Sequence, residues 1–419
     1  MTIKILCGKL YDGRRAELQE DQEILIEGKL IQAVGRNLPS PENTEMIDLK
    51  DATVTPGMID AHVHPSYFDW RDVYQDTMFN SDGYRALAVS NCARKTLAAG
   101  FTTIRTMGWF REDYVLDVKR AIEEGHLEGS RLVVAPHLLG TEGGHGDMSQ
   151  IARTNPMVTD YLMKTYPGIG CGADFFTAAV RHDVKLGADF IKIMATGGLA
   201  TPYDDPADIQ LNDAELKAIF DTARGLGKSV TAHAYSSELI QKLIGFDIQG
   251  IEHGTMMDEE TARMMEDNNV YLVPTLCPTD DAVYMDEESL RQKSDNFRRK
   301  LMKYQGALQE SRKVILNSNI KLGYGTDFVS VHQCYESGYE YSAFLRNGFD
   351  PFRALQAATK NNAEICEIDD IVGTIEVGKY ADISAWRRDL LADPNALRDC
   401  AFVMKEGKIY TPESQIDWP

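Results

Sequence analysis

Eight short apolar runs, alternating with stretches of helical character, fill the middle of this chain. They are Met58–His62, Thr102–Thr106, Leu132–Pro136, Phe190–Met194, Ser229–Ala232, Gly250–Glu252, Val270–Pro274 and Lys321–Gly325. Helical stretches such as Tyr84–Ala99, Asp213–Leu226 and Glu287–Asn317 intervene. Short buried strands alternating with helices are the pattern of a parallel sheet. Eight such units in about 310 residues predict an α/β fold of the (β/α)8 TIM-barrel type. An open doubly wound sheet is the competing architecture, but no GxGxxG follows the first run to support it.

The chain ends obey a different pattern. Ile3 to Cys7 alternate, Gly8 and Asp12-Gly13 punctuate, and Glu23 to Ile26 form a second run before Glu27-Gly28. The same spacing returns with Gly373–Val377, Ala381–Trp386 and Phe402–Lys405, separated by turns at Glu376–Lys379 and Glu406-Gly407. These are hairpin signals. They predict a small β-sandwich domain built from both termini, residues 1–56 and 366–419, flanking a barrel over 57–365. The charge-rich run Asp280–Arg312 is expected to be a solvated helix or helix pair covering the barrel, with a surface for oligomerisation as the alternative.

Lys and Arg number 44 against 64 Asp and Glu, a net charge of −20. Such a chain is ill suited to bind nucleic acid or an anionic membrane through its overall field. No apolar run approaches the roughly 20 residues of a membrane helix, and the first residues lack the pattern of a secretory signal. The seven cysteines form no CxxC pair and are odd in number, as expected of reduced thiols in a cytoplasmic protein. The expected partners are a small molecule or dipeptide and further copies of the chain as a homo-oligomer.

The active-site face of a barrel is formed by the C-terminal ends of its strands. Here the first run ends His62-Val63-His64, the fourth carries Lys192, the fifth leads to His233, the sixth to His253 and the eighth to Asp327. Residues i and i+2 of a strand face the same side, so His62 and His64 can grip one ion. Imidazoles suit zinc, manganese or iron. One HxH pair alone is weak. Four of nine histidines at strand ends make metal ligation the stronger reading. Lys192 lies inside the apolar strand Phe190–Met194, where burial disfavours its charge. A neutral amine there can capture carbon dioxide as a carbamate, whose two oxygens can bridge cations. Pairing with a buried acid, or an outward orientation, is the alternative. For Asp327 the alternative is a helix N-cap.

These residues resemble the amidohydrolase superfamily. The resemblance is carried by Val54-Thr-Pro-Gly-Met-Ile-Asp-Ala-His-Val-His64, Phe190–Gly198, Thr231-Ala-His-Ala-Tyr235, Ile251-Glu-His-Gly254, Gly325-Thr-Asp327 and the tail Gly373–Ile383, over essentially the whole chain. It implies two divalent ions, zinc foremost with manganese or iron as alternatives. His62, His64 and Asp327 would hold one and His233 and His253 the other, bridged by carboxylated Lys192. The stretches Ala195–Pro202, His233–Tyr235 and Glu252–Thr255 look like the prolidase- and imidazolonepropionase-like branch, which includes Xaa-Pro and Xaa-Arg/Lys dipeptidases and N-acyl amino acid hydrolases. Thr141-Glu-Gly-Gly-His-Gly146 is similar to that branch's substrate loop, which implies that His145 meets the scissile carbonyl. Tyr235 is implied as a substrate contact.

Deaminases of the superfamily carry HxxE after the fifth strand. Here Ser236 stands three residues after His233, and Glu238 five after it. With Lys192 present, this favours amide hydrolysis. The expected reaction cleaves a dipeptide, Xaa-Pro-like, or an N-acyl amino acid by means of a metal-bridging hydroxide. Asp327 takes the proton and returns it to the leaving nitrogen, and His145 donates to the oxyanion. A cyclic amide hydrolase is the alternative. The complete ligand set argues against a non-catalytic scaffold. A free substrate carboxylate would need a cation, for which Arg105, Arg111, Arg153 and Arg181 are candidates.

Overall fold

Hairpin chemistry at the chain ends builds one sheet. In the computed structural model, which describes residues 2–66, 80–109, 113–149, 154–199, 201–291, 295–329, 333 and 335–412, the chain forms two compact units. The first comprises Met1–Arg105, Asp117–Val133 and Gly323–Pro419. Its larger sheet has eight strands. Thr2–Leu10 lies at the centre, antiparallel to Glu23–Glu27 and parallel to Glu45–Pro56. The C-terminal part joins through Ile383–Trp386, antiparallel to Glu45–Pro56 with Thr55 opposite Ser384, and continues into Cys400–Lys405 and Lys408–Tyr410. Ile3, Ile5, Ile24, Ile26, Val54, Ile383 and Met404 share one buried core. Full burial of an Ile contributes roughly 1.5–3 kcal/mol, so this face commits both ends of the sequence to one sheet.

The Glu406-Gly407 turn has φ +52° and +73°, as a two-residue hairpin needs. Only glycine fits at 407, because a Cβ there would lie 2.0 Å from the Gly28 carbonyl oxygen. Gly373–Val377 departs from expectation and forms no strand. Gly373 turns at φ +89°, Thr374 spends its hydroxyl on Glu376, and the Ile375 amide bonds to the Asp12 carbonyl. Alternating hydrophobicity there reflects two inward anchors, Val372 and Ile375, rather than a ladder.

The same unit carries a smaller sheet in the order Met58–Val63, Phe101–Thr106, Arg131–Val134. The helix Asp82–Ala98 follows the first of these, capped by Ser81, whose side chain accepts from the Tyr84 amide. The expected last strand, Lys321–Gly325, is not a regular strand. Asn362 explains this: its side chain bonds to both the amide and the carbonyl of Tyr324 and to the Ile59 carbonyl. A side chain thus takes the Tyr324 amide, which a neighbouring strand would have used, and shares its carbonyl. The Ala61 amide still reaches the Tyr324 carbonyl at 2.8 Å, and His64 that of Phe328 at 3.1 Å.

The second unit comprises Thr106–Leu116 and Val134–Leu322. It holds a five-stranded parallel sheet in the order Tyr271–Val273, Gly250–Met256, Val230–Ser236, Ile191–Met194, Leu138–Leu139. Two connecting helices begin at side-chain caps. Asn212 and Glu215 form a reciprocal capping box at Asp213–Gly225, and Asp258 caps Glu259–Asp267.

The charge-rich run after Tyr271–Val273 folds as Asp280–Tyr284, Glu287–Leu290 and a long helix, Asp295–Asn317. It is not simply solvated: Leu301, Leu308, Arg312 and Ile315 make one buried face. Arg312 brings its own acid, Asp280, at 3.1 Å. A charge run hides a buried face whenever its inward charges come with partners. Five described cysteines are free, but Cys92 is disulfide-bonded, against the expectation of reduced thiols throughout. Among the described residues, no helix is long and apolar enough to cross a membrane.

Candidate active site

The first unit assembles His62, His64 and Asp327. Both histidines come from the end of the Met58–Val63 strand and are buried. Their rings stand 5.5 Å apart, centre to centre. Asp327 Oδ1 lies 3.3 Å from His62 Nε2 and 3.4 Å from His64 Nε2. Asp327 reaches them from a left-handed backbone, φ +52°, held by its amide on the His62 carbonyl at 2.7 Å. Two ring nitrogens and a carboxylate oxygen lie mutually within 4.8 Å. This donor set fits a zinc-type cation.

Sequence reasoning passed over Asp60, which braces this group. Fully buried, it accepts from the His62 amide at 3.2 Å, the Thr326 amide at 3.1 Å, the Thr326 hydroxyl at 2.8 Å and the Ser337 hydroxyl at 2.7 Å. It therefore pins the strand bearing His62 to the residue before Asp327. Burial pushes its carboxyl up to about 6, against those four bonds. The signal was present: an acid inside an apolar strand, the same anomaly that singled out Lys192.

The second unit assembles the other candidates. Lys192 is 2% exposed and pairs in register with Thr231, two residues before His233. The His233 and His253 rings are 4.6 Å apart. Tyr235 stacks on His253 at 5.4 Å, and His145 on His233 at 4.5 Å. His253 Nδ1 is fixed by the Thr275 hydroxyl at 2.7 Å, the kind of outer bond that orients metal-binding imidazoles. His253 has φ +74° and Gly254 +59°, and the ladder shifts register between Ala234 and Ser236. That kink is how Gly250–Met256 continues past a histidine that sequence reading placed at a strand end. Burial, followed by the nearby His145, His253 and Lys192 charges, holds His233 well below the usual imidazole range. That shift favours the neutral ring, the form that binds a metal.

Glu238 lies in the first turn of the helix Ser237–Ile244, and Ser236 ends the strand before it, so no carboxylate stands three after His233. His137 follows a strand too, but its Nδ1 is 2.6 Å from Asp183 on the helix Ala173–Leu186. Of the arginines weighed for a substrate carboxylate, Arg105 is buried and Arg181 is exposed on that same helix. Arg111 and Arg153 lie outside the described residues.

The family model for the amidohydrolase family matches residues 53–412. The chain belongs to that family. This amidohydrolase is 25% identical to ochratoxinase of Aspergillus niger, over 97% of this chain and 86% of the fungal protein. It is 22% identical to imidazolonepropionase of Acinetobacter baumannii (strain AB307-0294), over 88% of each. Among solved structures it is similar to a Xaa-Pro dipeptidase with methionine bound in its active site. That match has a TM-score of 0.86 and 29% identity, covering 98% of this chain and 100% of the dipeptidase. The family and the prolidase- and imidazolonepropionase-like branch agree with the sequence motifs. The chain is a hydrolase of amide type with the family's α/β fold.

Proposed function

We propose that this amidohydrolase uses two divalent metal ions to cleave a dipeptide, Xaa-Pro-like, or an N-acyl amino acid. The observation that carries the reading is the mutual approach of His62, His64 and Asp327 within 4.8 Å. The closed (β/α)8 barrel, with terminal residues 1–56 and 366–419 as its β domain around 57–365, belongs to the same reading. So do a homo-oligomeric state and a cytoplasmic location.

His62, His64 and Asp327 would hold one ion. His233 and His253 would hold the second, with Lys192, carboxylated on its amine, shared between them. Bound there, the ions would supply Lewis-acid polarisation of the carbonyl and a lowered pKa for water. The protein's own groups do the rest. Asp327, whose Oδ1 faces the two histidines, accepts the proton of the attacking water and passes it to the leaving nitrogen. His145, stacked on His233, donates to the carbonyl oxygen as it gains charge. Tyr235, on the face of His253, contacts the substrate beside it.

Similarity to a Xaa-Pro dipeptidase over the full chain favours the dipeptide or N-acyl amino acid. Similarity to an imidazolonepropionase, at lower identity, favours a cyclic amide as second reading. The two differ in products. A dipeptide releases a free amine as a separate molecule, whereas a ring opens and gains one water. Zinc- or manganese-loaded protein should release amine from at least one member of a panel of dipeptides and N-acyl amino acids. Ring opening of a hydantoin-type amide with no amine release would move the assignment to the second reading. Inertness toward both classes would sink the proposal.

A further inference from the structure

His145 is held from behind by a buried ion pair that sequence reading did not anticipate. Its Nδ1 lies 3.1 Å from Asp204 Oδ2 and 2.9 Å from the Thr201 hydroxyl. Asp204 Oδ1 lies 2.8 Å from the Lys300 ammonium. The two charged side chains are 2% and 3% exposed. Lys300 comes from the helix Asp295–Asn317 and uses its three protons on three acceptors: Asp204, the Gly198 carbonyl at 2.6 Å and the Thr201 carbonyl at 2.6 Å. The Gly198 amide also donates to Asp204 Oδ2, at 3.1 Å.

We propose that Asp204 and Lys300 position His145, fixing its ring so that Nε2 is the nitrogen presented to the substrate. The proposal rests on the hydrolase reading of His145 and names the residues that make it effective. A carboxylate has no proton to give, so Nδ1 carries a hydrogen in the bond to Asp204, and donation to the substrate oxygen requires a second hydrogen on Nε2, a doubly protonated ring whose charge Asp204 faces. Burial acts to raise the Asp204 carboxyl, but His145, Lys300 and Thr201 outweigh it and hold it well below the usual carboxylate range. The acid thus stays an acceptor.

The ring has no room to drift. A Cβ on Gly198 would lie 2.0 Å from His145 Cε1, so the imidazole rests flush on bare backbone. The other flank stacks on His233. The His145 amide is tied to Gln210 Oε1 at 2.9 Å. The helix grips the 201–205 loop along one face. Asn296 Nδ2 donates to the Thr201 carbonyl at 2.6 Å, Lys300 takes Asp204, and Lys303 and Tyr304 take Asp205. Positions 296, 300, 303 and 304 are one helical stripe.

Stability does not require such a pair. A buried ion pair can be replaced by apolar residues of similar volume with little loss, whereas removing one partner strands a charge. Direction is what it adds. Lys300 balances the charge of Asp204, and the carboxylate is left to aim the ring.

The test is a double-mutant cycle on the best substrate of the panel, using metal-loaded full-length protein. The neutral pair Asp204→Asn with Lys300→Met avoids a stranded charge. It is expected to lower kcat/KM about 10²-fold, the cost of a misplaced reacting group, chiefly in kcat, with metal content unchanged. In a His145→Ala background the same pair should cost less than about threefold, because residues acting as one unit are not additive. Equal losses in both backgrounds, or none in the first, would overturn the proposal. A second measurement needs neither activity nor a folded variant: ring-nitrogen NMR of wild-type protein labelled at histidine. A protonated Nδ1 on His145 is expected, and a bare Nδ1 with protonated Nε2 overturns the proposal. A wild-type chain inert to every amide would defeat the hydrolase reading while leaving this spectrum to decide the positioning of His145 on its own.

Discussion

Asp327→Asn is expected to leave a folded, metal-loaded protein whose kcat has collapsed. Asparagine keeps the size of aspartate and one acceptor oxygen but cannot take a proton. Loss of a general base costs about 10²–10⁴-fold. Asp327 also orients the attacking water in the proposed mechanism, so the upper end applies. Its Oδ1 lies 3.3–3.4 Å from two imidazoles, and Asn can still present an oxygen there. Metal content measured beside kcat therefore separates binding from chemistry. Near wild-type kcat at neutral pH would reduce Asp327 to a turn residue, consistent with its left-handed backbone alone. The proton would then have to pass through another group, and His145 would be the first to test.

The second large effect belongs to Lys192. Lys192→Ala should cut activity by at least about 10²–10³-fold, the range seen when one electrostatic contributor to a transition state is lost. It should also lower bound metal, since the proposed shared ligand is gone. Short carboxylic acids added to the variant should restore part of both, by offering two oxygens in the space of the missing side chain. Lys192 is 2% exposed within the strand Ile191–Met194, so Ala opens a cavity that such an acid can enter. Mass analysis of gently handled native protein should show the added carbon dioxide. An unmodified Lys192 amine in fully active protein would contradict the role.

His62 and His64 were legible in the sequence because strand periodicity puts them on one face, and Asp327 because a second run ended in an acid. Lys192 and Asp60 share one legible signal, a charge inside an apolar strand, but the sequence does not show that the Asp60 carboxylate ties that strand to Thr326. Asp204 and Lys300 were not legible. They lie far apart in sequence, and nothing local says that a lysine in a charge-rich helix faces inward. The Lys321–Gly325 strand failed for a related reason. Periodicity reports which side chains are buried, but here the Asn362 side chain takes the Tyr324 amide and shares its carbonyl with the Ala61 amide. Gly198 shows the same limit. Its need follows from the His145 ring 2.0 Å from where a Cβ would be, a contact across the fold rather than along the chain.

Elemental analysis of purified, catalytically active protein tests the central claim most directly. Two divalent ions per chain are expected, falling in His62→Ala and in His253→Ala. Full activity with no bound divalent metal would contradict the account.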